Sequence, residues 1–167
     1  MSFKYTIEET QLEGVKVFTP DKFTDYRGTM WTYWEKDMNT PPHKISKFTH
    51  SRKNVLRGLH GDNETWKHIT CVYGAFYIVV VDYREDSPTY LQWVSFTLDD
   101  KNCKSVLVPP GFLNGHLCLS DECVFHYTQS YPNEYIDWQD QISVKWNDPM
   151  LKINWPINNP ILSERDK

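Results

Sequence analysis

The chain has 167 residues, 40% hydrophobic and 24% charged, which is ordinary globular usage and excludes a disordered polymer. Eighteen Lys and Arg against 22 Asp and Glu leave a net charge of -4 with no basic stripe, so nucleic acid is a poor candidate partner. The longest apolar run, residues 75–81, is too short to span a bilayer, and the first residues lack the apolar core of an export signal.

The length predicts one domain over residues 1–167, and no repeat or Gly/Ser linker argues for a second. Seven Trp, ten Tyr and eight Phe favour a β-rich core, a ligand cleft, or both. In chain order, residues 28–34 read as a strand, and 34–39 as a helical turn or two before Pro41-Pro42. Residues 55–59 form the next expected strand. Residues 67–73 and 75–82 flank Gly74 and suggest an antiparallel pair. After the Asp86-Ser87-Pro88 turn, strands are expected at 91–98, 105–108, 117–119 and 122–131. Short strands at even spacing, without room for crossover helices, predict a sandwich or barrel.

Cys71, Cys103, Cys118 and Cys123 show no C-x-x-C spacing, so free thiols in a reducing, cytoplasmic setting are expected. The six histidines show no H-x-H or H-E-x-x-H pair, which makes a metal site the minority reading. On a regular strand Arg57 and Leu59 share one face, and Gly58 and His60 the other. Taken singly, Arg57 reads as a surface cation, His60 as a core imidazole and Lys67 as an edge-strand solubility device. Likewise Tyr127 reads as a packed core ring and Asp148, within Asn147-Asp148-Pro149, as a turn residue.

Together the segments resemble the dTDP-4-dehydrorhamnose 3,5-epimerase family. The matching stretches are Asp25-Tyr-Arg-Gly28, Val55-Leu-Arg-Gly-Leu-His60, Val81-Asp-Tyr-Arg84, Ser87-Pro-Thr89, Pro110-Gly-Phe112, Leu119-Ser-Asp121, Trp146-Asn-Asp-Pro149, Trp155-Pro156 and Leu162-Ser-Glu-Arg-Asp166. The resemblance implies an all-β, antiparallel, cupin-type jelly roll with a few short helices. It implies a homodimer in which an N-terminal strand reaches the partner, and chemistry without metal or other cofactor. His60 corresponds to the general base and Asp148 to the carboxylate orienting it. Lys67 corresponds to the Lys near the sugar carbonyl, and Tyr127 to the acid on the opposite sugar face. Arg57 and Arg27 fall at cationic positions near the nucleotide diphosphate, with Asn114, Phe23, Met30 and Thr32 on the substrate-binding side.

Those residue types suit the reaction. A 4-keto group acidifies the C3 and C5 hydrogens, a His titrates near working pH, and an ammonium stabilises the enolate oxygen. The chain departs from the family pattern in three places, one of them the loop Gly61-Asp-Asn-Glu-Thr-Trp66, which differs from the usual His-Tyr/Phe-Gln continuation and alters the pocket rim. Gly111-Phe-Leu-Asn-Gly-His116 stands where Gly-Phe-Ala-His-Gly-Phe is usual, so Asn114 replaces a His. Arg27-Gly-Thr-Met-Trp-Thr32 lacks an aromatic and an acid of the thymidine-contacting segment. The expected activity is therefore C3 or C3/C5 epimerisation of a 4-keto-6-deoxy nucleotide sugar, with a GDP-linked heptose of capsule biosynthesis as the narrower reading. A 3,4-ketoisomerase and a non-catalytic carbohydrate binder are the alternatives.

Overall fold

The computed structural model describes residues 4–167. Thirteen strands run in chain order: β1 (Tyr5–Glu9), β2 (Lys16–Pro20), β3 (Lys22–Asp25), β4 (Gly28–Trp31), β5 (Ile45–Arg52), β6 (Leu56–Gly61), β7 (Trp66–Tyr73), β8 (Ala75–Asp82), β9 (Trp93–Asp99), β10 (Ser105–Val108), β11 (Phe112–Cys118), β12 (Glu122–Ser130) and β13 (Ile142–Ser143). A six-stranded sheet of order β1-β2-β10-β7-β12-β5 faces a five-stranded sheet of order β13-β6-β11-β8-β9, and all pairings within them are antiparallel. β3 and β4 make a separate two-stranded hairpin. This is the expected all-β antiparallel sandwich.

β8 explains the longest apolar run. Phe76, Ile78 and Val80 enter the core between the sheets, while Val79 and Val81 pack beneath residues 142–155 on the outer side. Both faces of this strand are buried, so alternation disappears from its sequence. On the outer side of the larger sheet, Met38 packs with Phe18 and Leu107. Residues 34–39, expected to be helical, instead form a loop whose turn is closed by the Met38 amide on the Glu35 carbonyl at 3.2 Å. The helical element among the described residues is one 3-10 turn, Glu164–Asp166. No described helix is long and apolar enough to cross a membrane. All four cysteines are unpaired and buried.

Two other expectations need correcting. β7 and β8 do not pair: β7 lies between β10 and β12, and β8 between β11 and β9 in the opposite sheet. A single residue cannot make a two-residue hairpin turn, so Gly74, at φ +72°, corners the chain from one sheet to the other. The residue faces of β6 also differ from simple alternation. Asn114 pairs with His60, but His116 pairs with Arg57, so three steps on β6 match two on β11. This bulge turns Arg57 and His60 toward the same cavity. Gly58 makes it possible, because it adopts φ +114° and a Cβ there would lie 2.6 Å from the Asn114 carbonyl oxygen and from Gly115 Cα.

His68 and His116 are both buried, and burial pushes each imidazole down to about 3, with neighbouring cations and imidazoles acting in the same direction. Both are thus neutral in the fold but take up protons below about pH 6.5 once the chain unfolds. Stability is full above that pH and falls as pH drops below it, by up to about 1.4 kcal/mol per pH unit for each imidazole. Thermal unfolding followed from pH 7 to pH 4.5 should show this decline. A His68→Gln variant, which can still hydrogen-bond Ser105, should show a shallower one.

Candidate active site

Residues of both sheets line a cavity of about 270 Å³. The smaller sheet supplies Arg57 and His60 from β6 and Asn114 and His116 from β11. Facing them, the larger sheet supplies Lys47 from β5, Lys67 from β7, and Phe125, Tyr127 and Gln129 from β12. Residues 135–141 and Arg165 close the rim. Thus His60, Lys67, Tyr127, Arg57 and Asn114, five of the residues selected from sequence, share one pocket.

Asp148 does not join them. Its carboxylate accepts the Met150 amide at 2.8 Å, and it lines a separate depression with Trp146, Pro149 and Trp155. It is the turn residue that Asn-Asp-Pro suggests by itself. The carboxylate beside the imidazole belongs to Asp166, whose Oδ1 lies 2.7 Å from His60 Nε2. The C-terminal segment runs along β6 to deliver it. Ile161 bridges Val55, its carbonyl accepts the Leu56 amide at 3.0 Å, and the 3-10 turn then presents Asp166. Burial raises the Asp166 carboxyl, but bonds from His60, from the Ser163 hydroxyl at 2.9 Å and from the Gly58 amide outweigh it. The group therefore sits below the usual carboxylate range and stays ionised beside the imidazole.

Lys67 is buried at 7% exposure and meets only neutral acceptors. Its Nζ donates to Asn114 Oδ1 at 2.9 Å and to the His60 carbonyl at 3.3 Å. Burial lowers its ammonium to about 8; Asp62 opposes that, while Arg165 and Lys47 add to it. Burial also raises the Tyr127 hydroxyl, so it keeps its proton at neutral pH; Lys47 acts against this and Tyr135 with it. The Arg57 Nε donates to Ser51 Oγ at 3.0 Å.

Several pocket residues escape sequence reading. His116 stacks on Phe125 at 4.1 Å between centroids and 14° between planes, and its Nε2 is buried without a partner. Lys47 donates to the Tyr135 hydroxyl and sits over its ring, while the Arg165 guanidinium lies 5.5 Å from the Trp138 ring centre. Signals for two of them stand in the quoted segments: His116 closes Gly111-Phe-Leu-Asn-Gly-His116, and Arg165 lies beside the Asp166 carboxylate in Leu162-Ser-Glu-Arg-Asp166. Four cations, Lys47, Arg57, Lys67 and Arg165, against Asp137 and Asp166 make this pocket positive within an acidic chain.

Phe23, Arg27 and Met30 lie elsewhere, on the exposed β3–β4 hairpin, with Thr32 just beyond it. Arg27 is held by Asp25, its Nη2 2.6 Å from Oδ2. Among the described residues no cluster of His, Cys, Asp and Glu is arranged to hold a metal ion.

The model of the dTDP-4-dehydrorhamnose 3,5-epimerase family matches residues 9–167. The dTDP-4-dehydrorhamnose 3,5-epimerase of Shigella flexneri is 35% identical, over 95% of this chain and 91% of its own. A 4-keto-6-deoxy sugar epimerase from the novobiocin biosynthetic gene cluster of Streptomyces spheroides superposes with a TM-score of 0.91 at 31% identity, covering 98% of this chain and 85% of that one. A Legionella pneumophila dTDP-6-deoxy-D-glucose-3,5-epimerase, solved with dTDP-4-keto-L-rhamnose, gives 0.90 at 30% identity, covering 98% and 90%. With the fold, the order of the segments and nearly the full length in agreement, the chain belongs to the dTDP-4-dehydrorhamnose 3,5-epimerase family, isomerases that act on nucleotide sugars.

Proposed function

We propose that the chain epimerises a 4-keto-6-deoxy nucleotide sugar at C3, or at C3 and C5, without a cofactor. The observation that carries this reading is one cavity with His60 beside Asp166 on the smaller sheet and Lys67 and Tyr127 on the larger. His60 takes the proton from the carbon next to the ketone, and the C–H electron pair moves into the C4–O bond. Asp166 holds the imidazole in position and favours its cationic form. The Lys67 ammonium hydrogen-bonds the enolate oxygen. Tyr127, protonated on the opposite wall, returns a proton to the other face and inverts the centre. Arg57, with Lys47 and Arg165 at the rim, supplies charge for a diphosphate.

A lectin reading leaves a carboxylate–imidazole pair and a buried ammonium in the cavity without a task, which favours the enzyme. The departures at Met30 and Thr32 support a base other than thymine, and with it the GDP-linked 4-keto-6-deoxy-heptose of a capsule pathway. The exposed hairpin supports a homodimer: Phe23 is 53% and Met30 56% exposed, so apolar side chains face outward beside Arg27. In this reading the hairpin reaches the partner's cavity.

Incubation in D2O with GDP- and dTDP-linked 4-keto sugars tests the reaction and the base. Deuterium at C3, or at C3 and C5, is expected, fastest with the GDP-linked sugar. A moved carbonyl identifies a ketoisomerase, and no exchange a binder. In Tyr127→Phe, the C5 product should be lost more than C3 exchange.

His60→Asn and Asp166→Asn should each lower turnover by about 10²–10⁴, the usual contribution of a positioned base. Asp148→Asn should leave turnover near wild type. A large loss in Asp148→Asn with full activity in Asp166→Asn would return the orienting role to Asp148.

Mixing an Arg27→Ala protein with a His60→Asn protein tests the shared site. Recovery of activity in the mixture is expected, because each hybrid dimer has one cavity with both residues intact. No recovery in dimers shown to have exchanged subunits would overturn the shared site, and full activity of Arg27→Ala by itself would place Arg27 outside it.

A further inference from the structure

Lys67 is a buried cation with an unusual pair of partners. Neither is a carboxylate: one is the Asn114 side-chain oxygen and the other the His60 carbonyl. The Asn114 bond crosses the sandwich, from β7 of the larger sheet to β11 of the smaller, and both side chains are at least nine-tenths buried. An ammonium has three donors and no acceptor, so the amide must present its oxygen to Nζ. Two of the donors are then engaged, and the third is left for the cavity. The Asn114 amide nitrogen remains as a second donor, on the facing wall.

We propose that Asn114 is the positioning residue for Lys67, fixing the ammonium toward the substrate carbonyl with a neutral acceptor in place of a counter-ion. The inference rests on the reading of Lys67 as the enolate-stabilising group. A carboxylate at position 114 would hold the ammonium as firmly. It would also cancel much of its field at the enolate and tighten its hold on the proton. An imidazole there could itself become cationic and repel it. An amide avoids both effects, and Lys67 keeps its full field for the charge that develops at C4–O.

The ionisable groups around Lys67 come from every neighbouring element. Asp62, in the turn after β6, opposes the effect of burial, while Lys47 on β5 and Arg165 on the C-terminal turn reinforce it. Arg57 and His60 on β6, His116 on β11, Tyr127 on β12, and Tyr135 and Asp137 at the rim line the same cavity. From β10 the opposed residue is Val108, which has no charge.

The test reads the lysine directly and then the rate. Lysine side chains labelled with ¹³C at the ε-carbon are followed by NMR against pH in the full-length protein, with Lys67→Met to assign the signal. Wild-type Lys67 should titrate near 8, well below the other lysines. Asn114→Asp should raise that midpoint by about one to three units, the usual effect of an adjacent opposite charge. Asn114→Leu, of similar size but without an acceptor, should lower it by about one unit, or tenfold in proton affinity. Circular dichroism checks that each variant is folded; if the aspartate does not fold, the leucine carries the test. A Lys67 midpoint that stays put in the folded variants overturns the positioning role. The alkaline fall in kcat should move with the midpoint, upward in Asn114→Asp and downward in Asn114→Leu. A midpoint that moves while the kcat profile does not would uphold the positioning and overturn the reading of Lys67 on which it rests.

Discussion

The close approach of β6 and β11 at Gly58 is the constraint on which the cavity depends. A regular β6 would direct Arg57 and His60 to opposite faces of the sheet, one into the cavity and one away from it. The bulge removes that alternation and brings both into the cavity, opposite His116 and Asn114. A side chain at Gly58 would meet the β11 backbone, and its φ of +114° disfavours any residue with a Cβ. One residue without a side chain thus sets where the imidazole points, and the C-terminal segment that docks along β6 brings Asp166 to it.

The sandwich then divides the cavity between its walls. His60 and Asn114 stand on the smaller sheet, Lys67 and Tyr127 on the larger. Inversion of a carbon centre needs a base on one side of the sugar ring and a proton source on the other, and a sugar lying between the sheets would meet one wall with each face. The Lys67–Asn114 bond ties the walls together beneath that space. Both sheets are covered on their outer sides by well-packed clusters, so the walls are supported from behind.

Two buried charges show how differently the fold treats structure and chemistry. The Asp82 carboxylate is fully buried and accepts bonds from the Arg84 guanidinium and from the Ser87 and Thr89 hydroxyls. Burial would raise it, but those donors hold it well below the usual carboxylate range. Every lone pair has a use, and the group fastens the segment after β8. Lys67, also buried, has neutral acceptors and a lowered proton affinity. A charge left partly uncompensated in a cavity is available to a developing negative charge, at the expense of some stability.

The sequence by itself determined the β class, the cores of β7, β8, β10 and β12 and the grouping of Arg57, His60, Lys67, Asn114 and Tyr127. The first two follow from local composition and turn residues, and the grouping from segments in fixed order. The tertiary structure alone decided which strands pair, since residues 67–73 and 75–82 read as a hairpin and belong to opposite sheets. Pairing is non-local, and a one-residue connection leaves no mark of the sheet it enters. It also decided the faces of β6, because a bulge depends on the partner strand as much as on Gly58. Finally it decided the carboxylate beside His60. Asp148 and Asp166 both lie in segments that match the family. Only the path of the C-terminal segment along Val55 and Leu56 determines which of them reaches the imidazole.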